Sequence, residues 1–559
     1  MTRLSRAARE AWAALSASTL IAVVMTWPAA WHPASTIPSD LGDPMLESWQ
    51  LGWGAHALVH QPLQAFDSNT FYPLSNSLAF SDSLLGDAPL SLLFGNGPTA
   101  SLVRYNVFYI AAFALATFGA YALARQLGAR RLGAAVAGLA FGYAPWRLSQ
   151  AGHLHIISSG GLPLALALLA RGHGYRLGGR KRPELRAPRP ACALAGWAVA
   201  SYQVALGFGL GLAFTMVLGG VVLVATGWWI GGGRPAIPRR LLLADGAGVA
   251  LFAVVAGLIG RQYLKAVHDH PEARRTLADI AYYSPPFRGL LITPATDLLW
   301  GHAQAGSRAH LRWAAEMTIA PGLFVTVLAF VGLTAGVWTV RRRLVLAGAV
   351  GVSAVFALGT TPWGGRYTYR LLFDHVPGWQ GVRTPSRLVV WTILGLALLA
   401  ATGVDRAVDA ISSAGGPAAR VARPAAVTFA VVCAGLVLLE GASTIAHPKP
   451  APEPAVFRLA AADGGPLLVL PTDEIADETT MWWSTDRFPA IANGGSGFVP
   501  SLTQQLRDDT RSFPAPDAVS ALRGLGIHEV VALGQPAPSG PLPAGVAVTV
   551  IGADALYTL

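Results

Sequence analysis

Long apolar runs separated by short polar connections dominate this chain of 559 residues. The first run, residues 12–30, is about 19 residues long, which is enough for a helix to cross a bilayer. Ten more apolar runs follow, at residues 105–125, 132–146, 156–171, 190–205, 207–230, 241–262, 318–340, 344–360, 387–404 and 424–442. The pattern predicts an α-helical polytopic membrane protein with about eleven transmembrane helices.

The arginines of the connections indicate how these helices are oriented. Arg3, Arg6 and Arg9 precede the first run, and further arginines recur in every second connection. Basic residues favour the cytoplasmic side, so we expect a multi-pass protein of the cytoplasmic (inner) membrane with a cytoplasmic N-terminus. The arginine-rich inner connections are then residues 125–131, 171–189, 234–240, 341–343 and 406–423, and the long outer loops are 31–104, 263–317 and 361–386.

The last part of the chain has a different pattern. A proline-rich segment, residues 447–452, follows the final apolar run and is expected to be stiff and extended. Short apolar runs occur at 467–470, 530–533 and 546–551, and two segments with helical character, near 501–510 and 516–526, lie between them. The chain therefore divides into a transmembrane domain, residues 1–442, and a small extracytoplasmic α/β domain, residues 443–559.

Composition supports a membrane protein and excludes some function classes. Charged residues make up 13% of the chain and hydrophobic ones 53%, whereas soluble domains carry about 25% charged residues. The net charge of +11 comes mainly from arginines in short connections, so we expect no nucleic-acid partner. Cys192 and Cys433 lie in apolar runs and have no metal-ligand spacing, so the sequence predicts neither a metal site nor a cofactor.

Three acids stand out at the start of the first outer loop. Asp40, Asp43 and Glu47 are spaced i, i+3 and i+7, so that on a helix they would share a face. One of them could act as a general base on a hydroxyl group. Trp49 nearby could stack on a sugar, or lie in the interfacial aromatic belt. In the alternative reading, Asp43 is a helix N-cap followed by Pro44 at the first helical position, and Asp40 lies outside the helix.

A short outer stretch carries Arg147 and His153. An arginine on the outer side opposes the usual bias, so we expect Arg147 to have an anionic partner. His153 could hydrogen-bond a phosphate or a sugar, or be an ordinary loop histidine. His153 and His155 are two residues apart, and that spacing does not suit a metal pair on a helix.

Two further arginines directly precede an apolar run. Arg383 and Arg387, in the segment Arg383-Thr384-Pro385-Ser386-Arg387, could grip an anion such as a phosphate bidentately. Alternatively, they could extend toward lipid headgroups.

Several short motifs resemble those of the GT-C superfamily of membrane glycosyltransferases, in a poorly characterised bacterial group. In the first loop they are Gly42-Asp43-Pro44 and Phe71-Tyr72-Pro73. The segment from Pro145-Trp146-Arg147 through Gly152-His153 and the segment from Arg383 to Arg387 follow. The tail has Trp483-Ser484-Thr485 and the segment from Asn493 to Phe498.

The resemblance implies an inverting glycosyltransferase with a polyprenyl-phosphate-linked sugar donor, acting at the outer membrane surface on a glycan, lipid or protein acceptor. Asp43, or second Asp40, would be the base, and Arg383 or Arg387 would bind the donor phosphate. Arg147, His153, Glu47 and Trp49 complete the candidate substrate-binding residues. The first loop lacks an adjacent Asp-Glu pair, which leaves the base open and gives no support to a divalent metal.

Two other functions remain open at the level of the sequence. A transporter or flippase of a lipid-linked glycan would need polar groups through the bilayer, and the apolar runs offer few, such as Gln203 and Thr215. A catalytically silent scaffold for envelope assembly would use Asp40 and Asp43 only as caps or ion-pair partners.

Overall fold

The computed structural model describes residues 5–175, 187–234, 236–413, 419–535 and 540–559, with the backbone alone at 419 and 420. The predicted inner connections 171–189 and 406–423 lie partly outside these residues. The chain forms two compact units. Unit 1 contains residues 1–27, 109–258 and 275–445, and unit 2 contains residues 28–108, 259–274 and 446–559. Unit 2 thus combines the whole of the predicted first outer loop with the C-terminal tail.

Each predicted apolar run contains a helix. In chain order these helices are Arg6–Met25, Pro98–Leu127, Arg131–Gly142, Gly161–Gly172, Pro190–Leu206, Phe208–Gly231, Arg239–Asp269, Leu323–Ala335, Val340–Ala357, Val389–Ser412 and Ala419–Glu440. Among the described residues, seven helices are long and apolar enough to cross a membrane, or eight if the pair Val340–Ala357 and Pro362–His375, bent by 83°, is one span. The chain is a multi-pass membrane protein, but the count of eleven spans is not confirmed.

The first helix ends earlier than the apolar run suggests. It covers Arg6–Met25, whereas the prediction extended to residue 30. Thr26 closes the last turn by donating its hydroxyl to the carbonyl of Ala22 at 2.7 Å. Pro28 has no N–H and disfavours a helical conformation in the residue before it, which explains the stop.

Helix Val389–Ser412 is the centre of unit 1. It packs against Leu323–Ala335, Arg131–Gly142 and Val340–Ala357. The approach to Leu323–Ala335 is so close that a Cβ on Gly332 would overlap the carbonyl oxygen of Leu399. Small residues permit such contacts between membrane helices, where packing replaces the hydrophobic effect.

The carboxylate of Glu440 fixes the start of helix Leu323–Ala335. It accepts hydrogen bonds from the backbone N–H groups of Leu323 at 2.6 Å and Phe324 at 3.0 Å, and from the indole of Trp300 at 3.0 Å. A buried carboxylate is satisfied here because it takes up N–H groups that a helix leaves unpaired at its N-terminus.

Unit 2 contains a four-stranded sheet. Its strands are β1 (Leu467–Leu470), β2 (Glu529–Ala532), β3 (Ala547–Ile551) and β4 (Asp554–Thr558), in the order β1-β2-β4-β3. β1 and β2 are parallel, and β4 is antiparallel to both β2 and β3. The helices of the tail are Ala455–Ala460, Glu474–Trp483, Ser501–Asp509 and Pro516–Gly524. A small C-terminal sheet with helices is therefore present, as predicted.

The first loop of unit 2 carries a buried helix, Asp43–His60, which packs against helix Glu474–Trp483. After it, the backbone N–H of Phe71 bonds to the carbonyl of Asn493 at 3.1 Å. The shorter helices of the chain are Ala88–Ser91, Pro145–Ser149, Leu154–Ile157, Leu277–Tyr283, Ala305–Ala309, Ala314–Met317 and Tyr369–His375.

Candidate functional site

The acids of the first loop lie at the start of helix Asp43–His60. Gly42 is the N-cap, Asp43 is the first helical residue and Pro44 is the second, so Asp43 is not the N-cap that one reading of the sequence predicted. Asp43 is exposed, whereas most of the helix behind it is buried. Asp40 precedes the helix, and the three-acid face predicted from the spacing is reduced to Asp43 and Glu47.

Asp40 stabilises the turn that leads into this helix. Its Oδ1 accepts a hydrogen bond from the backbone N–H of Gly42, and its Oδ2 accepts one from the hydroxyl of Ser39, both at 2.9 Å. This is the local side-chain-to-backbone pattern that aspartate commonly makes in turns. Both carboxylate oxygens of Asp40 are thus engaged in the turn.

Glu47 and Trp49 point into the protein. Each is only 2% exposed. The indole N–H of Trp49 donates to Asn69 Oδ1 at 3.0 Å, and the Asn69 amide donates in turn to Ser484 at 3.1 Å. Trp49 is therefore neither a stacking surface for a sugar nor an interfacial belt residue. The sequence signal was misleading because a large aromatic ring suits a buried position as well as a membrane interface.

A further acid, Glu478, lies beside this turn. It belongs to helix Glu474–Trp483 and is 3% exposed. A Cβ built on Gly42 would lie 3.2 Å from Asp40 Oδ1 and 3.4 Å from Glu478 Oε2, so both oxygens face the same point. Burial raises the pKa of Glu478 to about 9, helped by the negative charges of Asp43, Glu474, Asp40 and Asp477.

The neighbouring residue, Asp477, has partners that Glu478 lacks. Its Oδ2 accepts from Arg507 at 2.6 Å and its Oδ1 from Asn493 at 2.7 Å. Burial raises the pKa of Asp477, and these two bonds limit the rise to about 6. The pKa values of these two adjacent acids thus differ because the guanidinium of Arg507 bonds to Asp477.

A second group of charged residues lies in unit 1. Arg387 donates from Nη2 to Glu316 Oε1 at 2.7 Å, and Glu316 is only 4% exposed. Ser386 and Gln150 each donate to Glu316 Oε2 at 3.2 Å. Burial alone would raise the pKa of Glu316, but Arg387, His153 and Arg383 lower it to about 2.

Arg383 and Arg387 therefore differ in what they can offer an anion. Arg387 already balances Glu316, and its Nη1 lies 3.2 Å from His155 Nε2. Arg383 is half-buried and its guanidinium lies over the ring of Tyr283, 4.9 Å from the centroid. An arginine stacked on an aromatic ring keeps its donors at the edge of the plane, so Arg383 is the better candidate for binding a phosphate. His153 is half-buried and contributes to the positive charge around Glu316.

Arg147 is a structural residue. It is 1% exposed and donates to the carbonyls of Phe141 at 3.2 Å and Ile157 at 2.6 Å, and to the hydroxyl of Ser159 at 3.0 Å. These partners are neutral, so the anionic partner expected from its position is not among them. Three carbonyl and hydroxyl acceptors are sufficient for a buried guanidinium that joins short helices.

Glu316 and Glu478 were not predicted from the sequence. Glu478 lies four residues before Trp482, which places it on the buried face of an amphipathic helix, and this signal could have been read. Glu316 is a lone acid directly before an apolar run, which is a weaker signal. In the described part of the chain, no three His, Cys, Asp or Glu side chains are grouped to hold a metal ion.

Comparisons with known proteins identify the fold. No family model matches the sequence, and no curated protein matches it. Two structures of the arabinofuranosyltransferase AftD from Mycobacteria are similar over 100% of this chain at 16% identity, with TM-scores of 0.56 (the R1389S mutant) and 0.51. The chain spans 42% and 40% of the length of the AftD chains in these two structures.

ArnT from Cupriavidus metallidurans, bound to undecaprenyl phosphate, matches 97% of both chains at 14% identity, but its TM-score of 0.47 is too low to support the fold. The two AftD structures have TM-scores above 0.5, so the likeness to AftD supports a shared fold. Because the sequence identity is only 16%, the likeness shows the fold and nothing about activity. The chain therefore has the fold seen in AftD, in agreement with the GT-C resemblance of its motifs.

Proposed function

We propose that this protein is an inverting glycosyltransferase that uses a polyprenyl-phosphate-linked sugar as donor at the outer face of the cytoplasmic membrane. The observation that carries the proposal is the GT-C fold together with an exposed aspartate, Asp43, at the first position of a buried first-loop helix. The acceptor would be a glycan, a lipid or a protein of the cell envelope. This location requires the cytoplasmic N-terminus that the arginine pattern predicts.

Asp43 is the proposed general base. A carboxylate at a helix N-terminus is stabilised as the anion by the backbone dipoles, and exposure lets an acceptor reach it. It would take the proton of the acceptor hydroxyl while the oxygen attacks the anomeric carbon from the face opposite the phosphate. The bond to the polyprenyl phosphate then breaks, and the configuration of the anomeric carbon inverts.

Arg383 is the proposed ligand of the donor phosphate. Its guanidinium is oriented by the ring of Tyr283, and its charge would stabilise the phosphate as it leaves. The ion pair with Glu316 holds Arg387 in place, and Arg387 would assist Arg383 in binding the phosphate. The sugar is not specified by the fold, so arabinofuranosyl transfer, the activity named for AftD, does not carry over to this chain.

The proposal is tested by comparing Asp43→Asn with Asp40→Asn. Purified protein in lipid nanodiscs would be given a panel of polyprenyl-phosphate sugars and cell-envelope acceptors, and product would be measured by mass spectrometry. We expect Asp43→Asn to lower the transfer rate at least about 100-fold, because an amide cannot accept the proton. Asp40→Asn keeps an oxygen for the Gly42 N–H and should retain most of the rate.

Unchanged product formation in the Asp43→Asn variant would contradict the assignment of the base. If instead the wild-type protein moved a labelled lipid-linked sugar across liposome membranes without altering it chemically, the transporter reading would replace the glycosyltransferase. Thermal unfolding of each variant would show whether a lost activity reflects a lost fold.

A further inference from the structure

The exposed side chains of one short segment in unit 2 are all apolar. Helix Ala88–Ser91 buries its first and last residues, and the turn that follows it runs to Leu93. The exposed residues of this segment, residues 88–93, are Pro89, Leu90, Leu92 and Leu93. The three leucines retain 54%, 46% and 80% of their surface. A contiguous apolar patch of this kind marks a contact with another protein or with a membrane.

Helix Ser501–Asp509 shows how the same unit presents a surface to water. It buries Thr503 and Leu506. Its exposed residues are all polar, namely Ser501, Gln504, Gln505 and Asp508. Single exposed leucines are ordinary on protein surfaces, but a segment whose exposed residues are all apolar needs a partner.

The inner side of the leucine segment already has its partner. Helix Asp43–His60 packs against helix Ala88–Ser91, and a Cβ on Gly54 would lie only 3.2 Å from the Cβ of Ala88. The three leucines are exposed, so they lie on the side that this helix leaves open. A different surface has to cover them.

The leucine segment lies beside a helix that can cross the membrane. Helix Pro98–Leu127 begins five residues after Leu93 and is long and apolar enough to span a bilayer. The chain folds back along it, because the ring centroids of Phe94 and Phe108 are 6.2 Å apart. Phe108 lies about 15 Å along the helix axis from Pro98, within the apolar run 105–125. Phe94 is therefore at the level of the membrane-embedded part of the helix.

Arg104 fixes the segment at this level. Its Nη2 donates to the carbonyl of Gly95 at 2.7 Å, and its guanidinium lies 5.9 Å from the centroid of the Phe94 ring. An arginine near the end of a membrane helix usually directs its charge toward the headgroups, so Gly95 marks the polar boundary. Val107, next to Phe108, is 44% exposed, so the spanning helix also presents an apolar surface here.

We propose that Leu90, Leu92 and Leu93 insert into the lipid leaflet at which helix Pro98–Leu127 begins. Lipid is the occupant that fits, because the exposed side chains are uncharged and the segment is held beside the apolar run of a spanning helix. The leucines would anchor the first loop to the bilayer and keep helix Asp43–His60 at a constant height above it. This contact does not depend on sugar transfer.

The lipid contact is tested with a nitroxide spin label attached to Leu93→Cys, after Cys192 and Cys433 are replaced by alanine. The full chain would be reconstituted in liposomes of phosphatidylethanolamine and phosphatidylglycerol. Power saturation measures collisions of the label with oxygen, which concentrates in lipid, and with nickel ethylenediaminediacetate, which stays in water. The controls are Val550→Cys on β3, whose valine is 55% exposed, and Val107→Cys on the spanning helix.

We expect the ratio of oxygen to nickel collisions at Leu93→Cys to exceed that at Val550→Cys at least about threefold and to approach that at Val107→Cys. Leu90→Cys and Leu92→Cys should give the same result, so one poorly folded variant does not decide the outcome.

Two results would overturn the proposal. A ratio equal to that at Val550→Cys would show that the leucines face water. Few collisions with either reagent would show that protein covers them, either a second copy of this chain or another partner.

Discussion

Glu316 in unit 1 and Glu478 in unit 2 are buried to nearly the same degree, with 4% and 3% of their surfaces exposed. Yet the pKa of Glu316 falls to about 2, and that of Glu478 rises to about 9. Burial raises the pKa of both. The difference comes from their partners, because Glu316 accepts a hydrogen bond from Arg387, whereas the strongest charges acting on Glu478 are other acids.

Depth in the protein therefore does not decide the charge of a carboxyl group. One guanidinium at 2.7 Å with two neutral donors makes an anion stable at Glu316. Asp477 is an intermediate case, since it has a guanidinium partner but also an acid next to it in the chain. The two glutamates are therefore suited to different tasks: one fixes an arginine, and the other can hold a proton.

The largest expected effect comes from removing the partner of Glu316. Arg387→Ala leaves a buried carboxylate without its cation, which should cost about 3 to 5 kcal/mol of folding free energy. The measurement is denaturant or thermal unfolding in lipid nanodiscs. Adding Glu316→Gln to Arg387→Ala should recover part of the loss, since no lone charge then remains.

The control for this prediction is Arg370→Ala in the same unit. Arg370 and Asp374 form an ion pair at 3.2 Å, but both side chains are about half exposed, so its loss should cost less than about 1 kcal/mol. Equal effects of Arg387→Ala and Arg370→Ala would show that Glu316 is not held as a buried anion.

A smaller effect is expected from the charge of Glu316 itself. Its pKa lies below that of an unfolded glutamate, 4.5, so its ionisation stabilises the fold above that pH. This contribution, about 3 kcal/mol, is lost as the pH falls from about 5 toward 2. Glu316→Gln should be less stable at pH 7 and should lack this acid dependence. Parallel stability curves of variant and wild type between pH 6 and pH 3 would contradict the assignment.

The smallest of the expected effects concerns the space around Glu478. Gly495→Ala places a methyl group on Glu478 Cγ and should cost about 1 to 3 kcal/mol, because the buried glutamate cannot move aside. Gly524→Ala is the control in the same unit, since no heavy atom lies within 4 Å of its Cβ position. Combining Gly495→Ala with Glu478→Ala should remove most of the cost of the added methyl group. No difference between the two glycine variants would indicate that Glu478 is free to move.

The sequence predicts local structure well where a strong pattern exists. The runs at 467–470 and 546–551 correspond to β1 and β3, and the segments 501–510 and 516–526 correspond to two helices of the tail. The split at Gly207 between two apolar helices is also present, with an extended backbone at that residue. β4, residues Asp554–Thr558, was missed because its five residues follow a short turn and have no clear alternation.

The candidate site was less predictable, because it depends on contacts between distant segments. Asp40 and Asp43 were recognised from their spacing, but nothing in the first loop indicates that helix Glu474–Trp483 packs against it. Arg147 and Trp49 were predicted to bind substrate from their residue type and their expected position on the outer side of the membrane. Both are buried and have neutral hydrogen-bond partners. Residue type alone cannot distinguish a ligand-binding group from a buried one whose partners come from elsewhere in the fold.

The composition of unit 2 has a consequence for the order of folding during synthesis. Helix Asp43–His60 has 13 buried residues and packs against a helix that begins only at Glu474. At a translation rate of about 5 to 20 residues per second, roughly 20 to 80 seconds separate the synthesis of the two helices. The first-loop helix can pack early against helix Ala88–Ser91, but it lacks helix Glu474–Trp483 throughout the insertion of the membrane segments, so the face that contacts this later helix stays open for that interval.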